Sequence, residues 1–143
     1  MKQILITISL IISSISFAQS LSVVKRTSPV FPGCENTIEK DRKDCFFEKL
    51  NQEISLEMKN YQTELEALSI ASASAKVKLN ILKSGSFEKY SILNSSSSDY
   101  SIYLKKALDK IAQRIGPVVP AKTEKGEASH STLIMDVLYQ KEK

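Results

Sequence analysis

The stretch AKVKLNIL, residues 75–82, alternates between apolar and polar side chains. A period of two is typical of a strand with one buried face, so we predict a strand here with its valine, first leucine and isoleucine toward the core. The next four residues, KSGS, predict a turn in which Gly85 adopts a positive φ angle. Residues 87–93 continue as a second strand, so the two strands are expected to form a hairpin.

Two other stretches carry apolar residues at helical spacing. The first spans residues 41–61 and repeats an apolar residue every fourth position, at Phe46, Leu50, Ile54 and Met58. The second spans residues 100–115, where six apolar residues form one stripe before Gly116 and Pro117 end the helix. We predict two amphipathic helices. Residues 64–74 are ambiguous, since they either extend the first helix or form a second short turn.

A second alternating stretch, residues 129–139, predicts the last strand, with Leu133, Met135, Val137 and Tyr139 on one face. The polar residues 94–99 end the second strand and cap the second helix, and residues 120–127 form a loop. The predicted order is therefore α-β-β-α-β. This order favours an α+β fold, a small two-layer sandwich in which a three-stranded antiparallel sheet carries two helices on one face.

The first 18 residues have the layout of a secretory signal peptide. A positive start precedes an apolar run of about a dozen residues, and small residues stand at positions 16 and 18. The alternative is a retained membrane anchor, but a spanning helix needs about twenty apolar residues. We predict cleavage after Ala18, a flexible polar segment at residues 19–28 and one domain at residues 29–143.

Composition narrows the classes of function. Lys and Arg number 20 against 16 Asp and Glu, and the charges are interspersed rather than gathered in a dense basic stretch. This pattern argues against a nucleic-acid partner. We find no phosphate-binding or dinucleotide glycine motif, and the serines at 95–98 have no evident base beside them. We therefore expect no catalytic residues, no cofactor and no small-molecule substrate, so the protein is not expected to be an enzyme.

Cys34 and Cys45 leave two interpretations open. An even number of cysteines in an exported chain indicates a disulfide, and closing so short a loop would contribute about 3 kcal/mol. A reactive thiol is the alternative, because a cysteine near a helix start can have a lowered pKa. It would make the protein a small thiol-dependent hydrolase using Cys34 and His130. His130 is the single histidine, and no further ligand cluster accompanies it, so we expect no metal site.

Three short motifs follow one another along the chain. PVFPGCE at residues 29–35, with a C-F pair at 45–46, looks like a P-x-F-P-G-C-E…C-F entrance motif. KVKLNI at 76–81 and YSILNSS at 90–96 look like a hairpin with a serine-rich exit, and ALDKI at 107–111 looks like the second helix. Together they resemble the TonB carboxy-terminal domain family, in the form common among secreted and envelope proteins of some Gram-negative bacteria.

This resemblance implies a fold, a compartment and a partner. Cys34 would pair with Cys45 and clamp the entrance motif to the first helix. The protein would be periplasmic and would bind an extended segment of an outer-membrane TonB-dependent transporter, or of another envelope protein, by strand addition at the free edge of its last strand. The expected edge contacts are Ser131, Leu133, Met135 and Val137.

Two further expectations qualify this role. We expect no membrane anchor and no long spacer in the mature chain, so it would act as an adaptor or decoy rather than as an energy transducer. The alternative is a structural or adaptor envelope protein with no role in transport. Domains of this shape can also exchange strands, which adds a strand-exchanged homodimer to the candidate partners.

Overall fold

The computed structural model describes residues 25–141. The predicted signal peptide and residues 19–24 lie outside the described residues. The helices are α1 Arg42–Met58, α2 Gln62–Ala67 and α3 Ser98–Ile115. The strands are β1 Ser72–Ile81, β2 Phe87–Ser95, β3 Ala121–Lys122, β4 Ala128–Ser129 and β5 Ser131–Gln140. Among the described residues, no helix is long and apolar enough to cross a membrane.

The main sheet has three antiparallel strands in the order β2-β1-β5, with β1 in the centre. Along β1 the burial alternates strictly at first, and its odd-numbered residues from Ala73 to Ile81 are all buried. On this buried side of the sheet, α1 packs against α3 and contacts β5, and α3 contacts β2, so that all of them share one core. The predicted α+β sandwich with two helices on one face is confirmed.

The core forms where the predicted helix stripes meet the predicted strand faces. The residues with almost no exposed side chain include Phe46 and Leu50 from α1, Val77 and Leu79 from β1, and Leu104 and Ile111 from α3. Each helix therefore buries its i, i+4 stripe, which supplies most of the free energy that holds short helices in place.

The turn between β1 and β2 requires a glycine. Gly85 has a φ of +83°, and a Cβ on it would lie 1.8 Å from the carbonyl oxygen of Val118. The Val118 N–H also donates to the Gly85 carbonyl at 2.9 Å. The turn is thus packed against the segment that follows α3, and only a residue without a side chain fits.

The serine-rich segment caps α3, as predicted. The hydroxyl of Ser97 accepts a hydrogen bond from the N–H of Tyr100 at 3.2 Å, and Gly116 ends the helix with a φ of +66°. Of the ambiguous residues 64–74, the first four belong to α2 and the last three to β1, with a short connection at residues 68–71, so the strand begins three residues before its predicted start. Small residues, SASA at 72–75, open this strand, and they carry little strand propensity.

A second, two-stranded sheet begins in the predicted loop: β3 lies within residues 120–127, and β4 follows directly after them, with Ser129 at the predicted start of the last strand. The strands β3 and β4 pair there, and Arg26 bridges Thr123 beside them. Two further contacts, Thr27 N–H to the Lys122 carbonyl at 2.8 Å and the bridge between Val30 and Val119, complete the attachment. We call residues 25–30 the N-terminal strap. Residues 25–28 belong to the segment predicted to be flexible, whereas the structure ties them to the domain.

The disulfide between Cys34 and Cys45 is present and joins Cα atoms 6.1 Å apart. Cys34 is fully buried beside α1. The Phe31 ring packs edge-on against Phe46, with centroids 5.1 Å apart. The motif P-x-F-P-G-C is therefore anchored to the first helix by a covalent bond and by a buried aromatic pair.

Candidate functional site: the free edge of β5

The strand β5 is paired on one side only. Within residues 25–141 its single neighbour in the sheet is β1, and no other strand lies along its second side. The pairing runs without a shift from Ser72 opposite Gln140 to Ile81 opposite Ser131. The result is a regular edge ten residues long, with neither a bulge nor a proline to interrupt it.

One hydrogen bond identifies the backbone groups that face outward. The Lys141 N–H donates to the Ala71 carbonyl at 2.9 Å, which continues the register of the two strands. Because hydrogen-bonded pairs alternate in an antiparallel ladder, the odd-numbered residues of β5 bond to β1. The even-numbered residues direct their N–H and C=O groups to the free edge; inside the strand these are the four residues Thr132, Ile134, Asp136 and Leu138, and Gln140 stands at its end.

The predicted edge contacts occupy the other set of positions. Leu133, Met135 and Val137 are buried in the core, and Ser131 is half-buried with a hydroxyl that has no hydrogen-bond partner among the described residues. Contact of these four residues with a partner stays a prediction. Side chains available on the outer face of this strand come instead from the four outward residues.

The outward residues are mostly uncharged. Leu138 is 76% exposed and Ile134 is 49% exposed, which is a large fraction for aliphatic side chains in a sheet. Asp136 is the single charged residue of β5, and its carboxylate lies 3.7 Å from the Lys76 ammonium on β1. Thr132 donates to the Asn80 side chain at 3.0 Å. The edge is therefore flanked on its outer face by exposed apolar groups and one acid.

The opposite edge of the sheet, formed by β2, is built differently. Its register against β1 shifts twice, and each shift leaves one extra residue on β2, at Glu88 and at Leu93. Bulges and charged residues are the usual means by which proteins prevent an edge strand from pairing with another chain. The edge of β5 has no bulge and a single charge, so the two edges are not equivalent.

A small cavity opens between α1 and the C-terminal end of β5. Its volume is about 120 Å³. Residues from α1, α2 and β5 line it, together with Lys59 between the helices: Ile54, Ser55, Met58, Lys59, Gln62, Leu138, Tyr139 and Gln140. Ile54 and Met58 are buried and give the cavity an apolar floor, whereas Ser55, Gln62 and Gln140 give it a polar rim.

Two tyrosines pack beneath this end of the sheet. The rings of Tyr100 and Tyr139 have centroids 5.9 Å apart, and both hydroxyls are buried without a hydrogen-bond partner among the described residues. Burial, with a smaller contribution from Tyr139, raises the pKa of Tyr100 to about 12. The hydroxyl is therefore neutral at physiological pH, and the pair acts as packing rather than as an acid or base.

The candidate residues for thiol or metal chemistry are not brought together. Cys34 is held in the disulfide and is fully buried, so in this form it is not a nucleophile. His130 is exposed in the connection between β4 and β5. Within the described residues, no group of three or more His, Cys, Asp or Glu side chains could hold a metal ion.

The choice of residues on β5 illustrates what the sequence pattern misses. Alternation along β5 predicts which of its side chains are buried. In an antiparallel edge strand the backbone groups also alternate with a period of two, and here the outward groups belong to the exposed residues.

Comparison with known proteins found no family model, no curated protein and no solved structure that matches this chain.

Proposed function

We propose that this domain is an interaction module that binds an extended polypeptide segment by adding it as a strand to the free edge of β5. The observation that carries the proposal is the regular edge itself, where the backbone groups of Thr132, Ile134, Asp136 and Leu138 have no strand beside them within residues 25–141. Added strands gain affinity from backbone hydrogen bonds and selectivity from alternate side chains. An unbulged edge beside exposed Ile134 and Leu138 supplies both.

The contrast between the two edges supports β5 rather than β2 as the binding strand. The β2 edge carries two bulges, which interrupt the even spacing of hydrogen bonds that a partner strand needs. A protein with no use for strand addition has reason to protect both edges. In the part of the chain that the structure describes, bulges interrupt the β2 edge and none interrupts the β5 edge.

The partner we propose is an extended segment of an outer-membrane TonB-dependent transporter, met in the periplasm. The resemblance of the entrance motif, hairpin and second helix to the TonB carboxy-terminal domain family supports this identity. The signal-like residues 1–18 support export. Another envelope protein is the alternative partner, and a structural protein without a peptide ligand is the alternative function.

The test is an NMR titration of residues 19–143, which include every described residue, with the disulfide intact. The probes are peptides from the amino-terminal segments of outer-membrane transporters. We expect the largest amide shifts at Thr132, Ile134, Asp136 and Leu138, because their N–H groups would gain new acceptors. If saturating peptide leaves all four amides unshifted, the proposal is wrong. Shifts confined to β2 would move the site to the other edge.

Two variants at one position separate backbone pairing from side-chain contact. Ile134→Pro removes an outward N–H without removing a β1–β5 hydrogen bond, and proline is tolerated at such edge positions. Ile134→Ala keeps the N–H. Because one hydrogen bond is lost and the proline ring obstructs the approaching strand, we expect binding to weaken by about tenfold or more in Ile134→Pro, and by much less in Ile134→Ala. Equal effects would show that the backbone is not the contact.

A further inference from the structure

The cavity beside β5 has a defined relation to any strand added at that edge. An added strand lies about 4.8 Å from its neighbour, in the plane of the sheet. Its side chains alternate between the two faces, so every second side chain points toward the helix layer. The cavity lies between α1 and the C-terminal end of β5, where it borders Leu138, Tyr139 and Gln140. A helix-facing side chain of the partner is therefore directed into it.

The lining determines which side chain fits. The volume of about 120 Å³ compares with about 150 Å³ for an apolar cavity that holds benzene, and so accommodates about four or five carbon atoms. Ile54 and Met58 form an apolar floor, on which a charged group would lose its hydration. An aliphatic side chain of the size of leucine meets both conditions.

The surface around the cavity continues onto the helix. A second, more open depression on α1 is lined in part by Ser55, Leu56 and Lys59, and so shares Ser55 and Lys59 with the cavity. Leu56 is 57% exposed at this junction. The exposed apolar side chain of Leu56 therefore adjoins the cavity on the helix side, whereas Leu138 projects from the opposite face of the sheet. The continuity of the cavity with the depression on α1 favours an occupant that lies along β5 and also touches the helix.

We propose that this cavity is a specificity pocket for the added strand, which takes one aliphatic side chain of about leucine size. The proposal rests on strand addition at β5 and names the chemistry of the partner segment. That segment carries a leucine-like residue at a helix-facing position near the C-terminal end of β5. Backbone pairing then gives general affinity, and the pocket fixes the register, because a slip of one residue turns that side chain to the other face.

The test uses a host peptide of nine residues, in which a lysine stands at each end, threonines fill the interior, and one central guest position varies. The guests are alanine, leucine, aspartate and tryptophan. We expect the leucine guest to bind at least about tenfold tighter than the alanine guest, in line with the loss of affinity when methylenes are missing from an apolar pocket. Aspartate and tryptophan should bind no better than alanine, because one is charged and the other is too large.

A matched pair of variants tests whether the preference for the leucine guest arises at the cavity. Ser55 is exposed at the rim, so Ser55→Leu fills the mouth of the cavity without disturbing the core. We expect this variant to lower the affinity of the leucine guest to that of the alanine guest. Gln113→Leu places the same side chain at an exposed position of α3, outside both the cavity and the depression on α1, and should keep the preference for leucine. Methyl resonances of Ile54 and Met58 should shift with the leucine guest only.

The outcomes distinguish the pocket from strand addition itself. If all guests shift the amides of Ile134 and Asp136 with equal affinity, the pocket proposal is overturned while strand addition stands. If no guest shifts those amides, both proposals fail together. Methyl shifts of Ile54 and Met58 that depend on protein concentration without peptide would assign the cavity to a second copy of the chain, which also overturns the proposal.

Discussion

At the scale of single residues, Glu57 is a buried carboxylate at the contact between α1 and α3. Its oxygens lie 3.1 Å from the Lys110 ammonium and 3.5 Å from the Arg114 guanidinium, and Asn60 donates to it at 3.1 Å. Burial alone raises the pKa of Glu57. The hydrogen bonds from Lys110 and Asn60, with the charges of Lys110 and Arg114, outweigh burial, so the pKa lies below the ordinary value of 4.5.

This shift predicts how stability depends on pH. Because the folded pKa is lower than the unfolded pKa, the unfolded chain binds more protons as the pH falls through this range. The stabilisation by Glu57 is therefore fully present above about pH 5 and is lost as the pH drops below the ordinary pKa toward the folded value. Urea unfolding at a series of pH values measures it.

The variant Glu57→Gln should remove that part of the acid sensitivity. At pH 7 we expect its free energy of unfolding to fall by about 1–2 kcal/mol, since a charge-assisted hydrogen bond becomes a neutral one while both cations stay half exposed. The control Glu53→Gln affects a more exposed partner of Arg114 and should cost less than about 1 kcal/mol. If the free energy of unfolding of Glu57→Gln falls at acid pH as steeply as that of the unchanged protein, the acid sensitivity does not come from Glu57.

At the scale of elements, the turn of the β1–β2 hairpin packs against the segment after α3 and is hydrogen-bonded to it. Two glycines form a matched pair for testing this contact. Gly85 and Gly126 both have positive φ, at +83° and +79°, but a Cβ on Gly126 would meet nothing within 4 Å. The two positions therefore share backbone strain and differ in the available space.

We expect Gly126→Ala to cost about 1–2 kcal/mol of unfolding free energy, which is the strain of a positive φ. Gly85→Ala should cost more than that, because its methyl group would overlap the Val118 carbonyl and force the segment away. Thermal or urea unfolding of both variants measures the difference. Equal losses would show that the contact with Val118 contributes nothing beyond strain.

The long elements could be predicted because burial has a period in the sequence. The stripe in α3 and the alternation in β5 gave bounds within two residues of those observed. The small sheet of β3 and β4 could not be predicted, since strands of two residues show no periodicity. The N-terminal strap was missed for a related reason, because its pairing depends on contacts with residues about ninety positions later.

The candidate site was only partly predictable for a different reason. Alternation shows that β5 has a buried face, but the order of strands in the sheet is a tertiary property, and only the resemblance suggested that the last strand lies at an edge. The cavity depends on how closely Ile54 of α1 approaches Tyr139 of β5. No local pattern in the sequence encodes such a distance.

At the scale of the whole molecule, one covalent bond secures the N-terminal part to the domain. The disulfide spans a sequence separation of 11 residues and joins the segment after the strap to the first turn of α1. The strap then pairs with residues 119–123, beyond α3. The beginning of the described chain is thus held at two sites that are far apart in sequence.

Removing this bond tests its share of the stability. We expect the double variant Cys34→Ser, Cys45→Ser to lose about 3 kcal/mol of unfolding free energy, mainly because the unfolded chain regains loop freedom. Urea unfolding of the oxidised protein, the reduced protein and the double variant measures it. The reduced protein and the double variant should agree closely. A loss well below 1 kcal/mol would show that the packing of Phe31 on Phe46 holds the motif without the bond.

The two bulges in β2 have a consequence for assembly. A sheet with two open, regular edges can accept a strand on each side, and units of that kind can join without limit into fibres. Here the β2 edge is interrupted and the β5 edge is regular. The main sheet therefore contributes one regular edge to strand pairing. When β5 pairs with β5 of a second copy, both outer edges of the joined sheet are bulged β2 edges, so growth through the strands of the main sheet ends at two copies.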